Sequence, residues 1–339
     1  MISQIRYLQN SGYWNESLQC LNWVKRRCRR SAPHQPHKPK GKSMTRILVT
    51  GATGNIGRMT LQHLLKRVPA SDLVGLARDP AKAADLAAKG IEIRQGDYLD
   101  REGLVRAFAG IGKVMLVSAT AFTDRNTQHE NVINAAKQAG VGHIVFMPII
   151  QKADSGFHMP QVTEEDRFVE KSLKASGLVY TLVRHPPFLE NIENYAGGAP
   201  LEKGVLAPAG TGKAAYASRE DLAEAHAVVL SEDGHGYKDY ALYGGPAVSF
   251  ADIAQILSDI SGKPVPFNVL SEQDYVAQLM SLGLPEPAAA FILKWVQGVN
   301  AGEWDGESGD LEKLLGRKPT TPAQYLRAVH APRRLETET

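Results

Sequence analysis

Residues 51–57 read Gly-Ala-Thr-Gly-Asn-Ile-Gly, with a glycine at every third position. Without side chains, Gly51 permits a tight turn, Gly54 lets the backbone approach a pyrophosphate, and Gly57 lets a helix pack closely on a strand. Backbone N–H groups at the start of a helix, with the positive end of its dipole, would hold the phosphates. The spacing is G-x-x-G-x-x-G rather than G-x-G-x-x-G, and by itself it also describes an ordinary structural turn. No G-x-x-x-x-G-K-[S/T] run occurs, so a P-loop is excluded and the expected ligand is a dinucleotide.

The end of the second strand decides which dinucleotide. An Asp or Glu there would accept from both ribose hydroxyls of NAD, whereas "GLARDPAK" places Arg78 there and Lys82 a turn later. A guanidinium suits a 2′-phosphate, so NADP(H) is expected in preference to NAD(H), with the neighbouring Asp79 as the contrary signal. Asp97, in "QGDYLD", ends the third strand, where its carboxylate would either face the adenine or cap a helix; Asp100 is an equal candidate for the cap.

These residues need a frame. "RILVTG" is a short apolar run ending at the glycine loop, and "NIGRMTLQHLLKRV" follows with Ile56, Leu61, Leu64, Leu65 and Val68 near helical spacing. Five more apolar runs, "DLVGLAR", "IEIRQGD", "KVMLVSAT", "HIVFMPII" and "VYTLVRH", are separated by helical patterns. Near-continuous apolar strands alternating with helices imply an α/β fold whose parallel sheet is covered on both faces.

Charge divides the chain unevenly. Residues 1–43 hold nine Lys/Arg, including Lys25, Arg26, Arg27, Arg29 and Arg30, against the single acid Glu16, whereas the remainder carries a net −5. This basic extension is expected to be disordered, either a nucleic-acid, membrane-surface or targeting patch or a translated upstream segment ahead of Met44. Both cysteines, Cys20 and Cys28, fall within it, so the body has no disulfide and no cysteine metal site. The histidines show no H-E-x-x-H, and no metal is expected. No apolar run is long enough to span a membrane, and a cytoplasmic location is expected. "TEED" (Thr163–Asp166) and "SFAD" (Ser249–Asp252) fit helix capping boxes, and "SREDLAEAHAVVL" from Ser218 reads as a capped amphipathic helix.

With "TGATGNIG", "LLKRVPASDLVGLARDPAKAADLAAKGIEIRQGDY", "AFAGIGKVMLVS", "NVINAAKQAGVGHIVF" and "SGLVYTLVRHPPFLEN" in view, the chain resembles the NmrA-like atypical short-chain dehydrogenase/reductases. "LSEDGHGYKDYALYG", "FADIAQILSDISGK" and "LLGRKPTT" extend the likeness over nearly all of 44–325, closest to the type 2 NAD(P)H:quinone oxidoreductase and triphenylmethane reductase branch. The resemblance implies a Rossmann-type doubly wound parallel sheet binding NADP over 44–190 and a smaller C-terminal α/β lobe over 191–330, with some elements returning to the core. It implies hydride transfer to quinones or similar conjugated acceptors, dyes included. Carried over by position, Gly51, Thr53, Gly54, Asn55, Ile56 and Gly57 bind the pyrophosphate and Arg78 the 2′-phosphate. Ser118 and Ala119, with Met147, Pro148 and Ile149, line the nicotinamide side.

Departures from the pattern matter too. No Tyr-x-x-x-Lys pair occurs, so alcohol oxidation is not expected. Asp166 stands where reductases related to isoflavone reductase carry a lysine, and Arg184-His185-Pro186-Pro187 replaces an Arg-Asn sequence in the pocket wall. A quinone that accepts hydride becomes a stabilised hydroquinone anion, which water can protonate, so positioning alone is sufficient. If the chain supplies a proton donor, His185 or His158 is the candidate; a structural histidine is the alternative for each. Phe157, Phe188, Tyr195 and Trp295 are candidates for stacking on a flat substrate, and equally for core aromatics. Two functions follow: an NADPH-dependent reductase of small conjugated acceptors, or a non-catalytic NADP(H)-sensing regulator of the same fold. Neither requires nucleic acid or a membrane, and a homodimer is compatible with both.

Overall fold

The structure, a computed structural model, describes residues 45–330 except 154 and 308. The basic extension and its cysteines lie outside the described residues. The apolar runs become β1 (Ile47–Val49), β2 (Leu73–Ala77), β3 (Glu92–Gln95), β4 (Lys113–Leu116), β5 (His143–Phe146) and β6 (Val179–Arg184). Beyond them come β7 (Val205–Pro208), β8 (Asp239–Ala241) and β9 (Phe267–Leu270).

Seven strands form one sheet in the order β3-β2-β1-β4-β5-β6-β8, and every neighbouring pair is parallel. The chain winds outward from β1 in one direction and from β4 in the other. Ligands of such Rossmann-type sheets sit at this switch point, beyond the carboxyl ends of the strands.

Side-chain alternation along β1 explains why both faces need helices. Ile47 and Val49 join a core with the helices Asn55–Leu64 and Arg219–Ser231. Leu48 points the other way, into a core with Arg101–Ala107, Arg125–Gln138 and Thr163–Ser176. A third core joins the two-stranded β7–β9 sheet to the helices Phe250–Ser261, Glu272–Ser281 and Glu286–Asn300. Ile149 and Ile150, just past β5, belong to this third core. Segments leaving the large sheet therefore anchor the C-terminal elements. Among the described residues no helix is long and apolar enough to cross a membrane.

Local capping follows the sequence at two of three helices. Ser249 and Asp252 form the reciprocal capping box, and the Ser218 side chain accepts from Asp221 N–H. The helix Arg219–Ser231 is buried along most of its length rather than amphipathic, because the helix Asn55–Leu64 covers the side that would face water. The "TEED" expectation of a capping box with acids in the first turn holds only for the acids: Glu164, Glu165 and Asp166 stand in the first turn, but the helix starts from Val162 with no side-chain cap, and the Thr163 hydroxyl turns back to the Met159 carbonyl at 3.1 Å. Asp166 is drawn inward instead, by a buried arginine.

Candidate active site

The glycine loop meets its steric requirements in three different ways. Gly51 has φ +61°, a left-handed conformation that side chains disfavour. A Cβ on Gly57 would stand 2.7 Å from the Thr50 carbonyl oxygen and closer still to that of Gly51, so helix and turn leave no room for one. At Gly54 a Cβ would make only ordinary contact, 3.4 Å from the Gly51 oxygen, so the protein itself tolerates a side chain there. The following helix has no side-chain cap and no acid in its first turn. Its N-terminal N–H groups are left for an anion.

A cleft of about 460 Å³ runs over this loop and the ends of β1 to β4. Gly51, Thr53, Gly54, Arg78, Asp97, Ser118 and Ala119 line it. Arg78 is exposed at the end of β2, and no ion pair engages its guanidinium among the described residues. Asp79 is spent as a cap, its carboxylate accepting from Ala81 N–H at 3.1 Å. Asp97 accepts from Leu99 N–H at 2.9 Å, while Asp100 caps the next helix through Gly103 N–H at 2.9 Å. Asp97 is therefore the acid on the cleft wall. Asn55, Gly57 and Lys82 do not line this cleft; the Lys82 carbonyl accepts from Arg58, which also pairs with Asp85.

An aromatic pocket of about 310 Å³ adjoins the cleft, and Val117, Ser118 and Ala119 line both. Ile56, Met147, His185, Phe188, Tyr195 and Trp295 contribute to it. The His185 and Phe188 rings stack at 4.7 Å and 14°, with the Arg219 guanidinium 4.7 Å over Phe188. Tyr195 and Trp295 stack at 6.2 Å and 19°. Pro148 and Ile149 lie behind the wall: the Pro148 carbonyl accepts from His185 N–H at 3.0 Å, and Ile149 is buried in the third core.

Two expected residues are elsewhere. Phe157 packs edge-on against Trp304 at 5.6 Å and lines a separate surface cavity, and His158 is exposed and lines neither the cleft nor the pocket. His185 sits in the pocket, but burial pushes its pKa down to about 4. Its Nδ1 lies 2.9 Å from the Pro186 carbonyl, which only an N–H can satisfy. A neutral ring with its one proton so committed presents an acceptor at Nε2, not a donor.

Several pocket residues escaped the sequence reading. Phe291 lines the pocket one helical turn before Trp295, and that i, i+4 spacing was the available signal. The same spacing links Arg125 and His129 on the helix Arg125–Gln138. His129 Nε2 accepts the Ala119 N–H at 2.9 Å, and burial lowers its pKa to about 3, so the ring is neutral. Tyr98 lies against Thr50 Oγ1 and the Val117 carbonyl, while Thr50 Oγ1 donates to Met115 O at 3.0 Å and accepts from Val117 N–H at 2.9 Å. The loops after β1, β3 and β4 are thereby tied together.

Parallel sheet, phosphate-ready turn, unpaired guanidinium and adjoining aromatic pocket define an NAD(P)H-dependent oxidoreductase. Comparison with known proteins agrees: residues 51–233 match the family described as NAD(P)H-binding. Quinone oxidoreductase 2 of Escherichia coli (strain K12) is 42% identical over 281 residues, 82% of this chain and 96% of that protein. The crystal structure of an NADPH-dependent quinone oxidoreductase from Escherichia coli, complexed with NADPH, aligns with a TM-score of 0.78 and 40% identity over 84% of this chain and 99% of that one. Triphenylmethane reductase from Citrobacter sp. aligns equally well, TM-score 0.78, at 34% identity over 83% and 99% of the two chains. The chain belongs to the NAD(P)H-binding, NmrA-like family.

Proposed function

We propose that this protein reduces quinones of one or two rings, using NADPH in preference to NADH. One observation carries the reading: the cleft over the glycine turn shares the wall residues Val117, Ser118 and Ala119 with an aromatic pocket. The residues present fit the nucleotide, since the glycine turn leaves helix N–H groups free and Arg78 is unpaired where a 2′-phosphate would lie. Bound NADPH supplies a hydride. The chain positions the acceptor, with Phe188, Tyr195 and Trp295 giving flat apolar surface for a quinone ring.

Reduction of a quinone takes one hydride and one proton. His185, neutral and donating to Pro186, has no proton to give, and the proton comes from water. The acceptor suits this economy, because the hydroquinone anion is already a stable product.

The test is anaerobic oxidation of NADPH, and separately NADH, against benzoquinones and naphthoquinones, for the wild type and Arg78→Ala. Loss of the charge-assisted contact to the phosphate, about 1.5–3 kcal/mol, should lower kcat/KM for NADPH roughly 10- to 100-fold while sparing NADH. Tight NADPH binding without turnover on any quinone would sink the assignment.

A further inference from the structure

We propose that Phe122 sets the upper size of the acceptor by closing the pocket against Phe291. The inference rests on the reductase reading above. Phe122 has φ +66°, in the left-handed region that a bulky residue rarely adopts, and the residue is 58% exposed. It nevertheless meets the Phe291 ring edge-on at 5.0 Å and 67°. Phe291 and Ala121, the neighbour of Phe122, both line the aromatic pocket. Phe291 in turn meets Trp295 at 6.2 Å and 89°, so the contact continues a run of rings along one wall.

The loop is secured on either side of this residue. Ala119 N–H donates to His129, and Thr123 Oγ1 donates to the Thr120 carbonyl at 2.8 Å. Among the described residues no hydrogen bond ties the N–H of Ala121 or Phe122. Between two fixed points, the aromatic edge contact joins the cofactor-side loop to the C-terminal helix Glu286–Asn300. At about 310 Å³ the pocket is at the small end of the ~300–1,000 Å³ usual for ligand sites. A one-ring quinone fits with the Phe122–Phe291 contact intact, whereas a three-ring triarylmethane cation requires the rings to part.

Turnover of 1,4-benzoquinone and of a cationic triarylmethane dye would be compared for the wild type, Phe122→Gly, Phe122→Asn and Phe291→Ala. Glycine and asparagine both accept the left-handed backbone, so either removes the ring without adding strain. We expect each variant to raise kcat/KM for the dye roughly tenfold relative to benzoquinone. An equal change for both acceptors, or a selective loss on the dye, would overturn the gate. Wild-type protein inactive on benzoquinone would instead overturn the reductase reading, which keeps the two failures apart.

Discussion

Arg125 and Asp166 form an ion pair buried at both ends, with Nη2 2.9 Å from Oδ1. The second carboxylate oxygen accepts the Ile149 N–H at 2.8 Å, and Arg125 Nη1 donates to the Gln161 carbonyl at 2.7 Å and to Glu165 at 2.9 Å. The helix after β4, the segment after β5 and the helix Thr163–Ser176 thus meet at one pair on the pocket wall. Burial outweighs the pull of the guanidinium and raises the Asp166 pKa to about 6.

Asp166→Asn should therefore be among the costliest single changes near the site. Removing one partner of a buried pair costs about 3–5 kcal/mol, and the lower figure applies because Glu165 still faces Arg125. Urea unfolding measures this; a loss under about 1 kcal/mol would mean the pair is dispensable.

The second and third glycines of the turn should separate binding from folding. Gly57→Ala forces a Cβ against backbone and should lower Tm, whereas Gly54→Ala meets only ordinary contact and should leave Tm nearly unchanged while weakening NADPH binding. Thermal melts paired with nucleotide titrations distinguish the two. Equal loss of stability in both variants would contradict this division.

His129→Phe keeps a ring against Phe146, which the imidazole meets edge-on at 5.7 Å, but removes the acceptor for Ala119 N–H. An unsatisfied N–H costs about 1–3 kcal/mol, so the loop at Ser118–Ala119 should loosen and kcat should fall roughly tenfold. His129→Gln, whose side-chain oxygen reaches a similar position, should restore most of the rate. If both variants matched the wild type in kcat, the positioning role would be lost.

Acid should unfold the protein through its buried histidines. His129 and His226 are held near 3 and His143 and His185 near 4, all below the ordinary 6.5, by burial. Between pH 4 and 6.5 the unfolded chain binds these protons and the folded chain does not, so stability falls as pH falls. Asp166 opposes this between 3.8 and about 6, where the folded state holds the extra proton. The lowered histidines outnumber the raised carboxylates, so unfolding takes up protons on balance and stability falls on acidification toward pH 5. Urea midpoints at pH 7.5, 6.5 and 5.5 test the sign; a midpoint that stays level or rises on acidification would contradict it.

Strands β1, β2 and β5, buried at every residue, were legible because a strand buried on both faces is written as an apolar run, whereas the edge strand β3, Glu-Ile-Arg-Gln, is exposed or half-buried throughout. The nucleotide turn was legible because its requirements are local: a left-handed φ at Gly51 and no space at Gly57 are settled within seven residues. Arg78 could be placed because β2 ends there.

Other features depended on distance. Asp166 resembled a helix cap by its spacing, yet its partners Arg125 and Ile149 lie 41 and 17 residues away, and a buried guanidinium attracts a carboxylate more strongly than a helix end does. Phe157 and Phe291 are equally plausible pocket rings in sequence. Only the packing of the helix Glu286–Asn300 against the segments leaving the sheet turns Phe291 into the pocket, while Phe157 packs on Trp304. Local backbone geometry and strand burial were thus determined by the sequence itself. The protonation of His185, the partner of Asp166 and the wall of the pocket were decided by tertiary structure, because desolvation and charge pairing depend on what surrounds a group after folding.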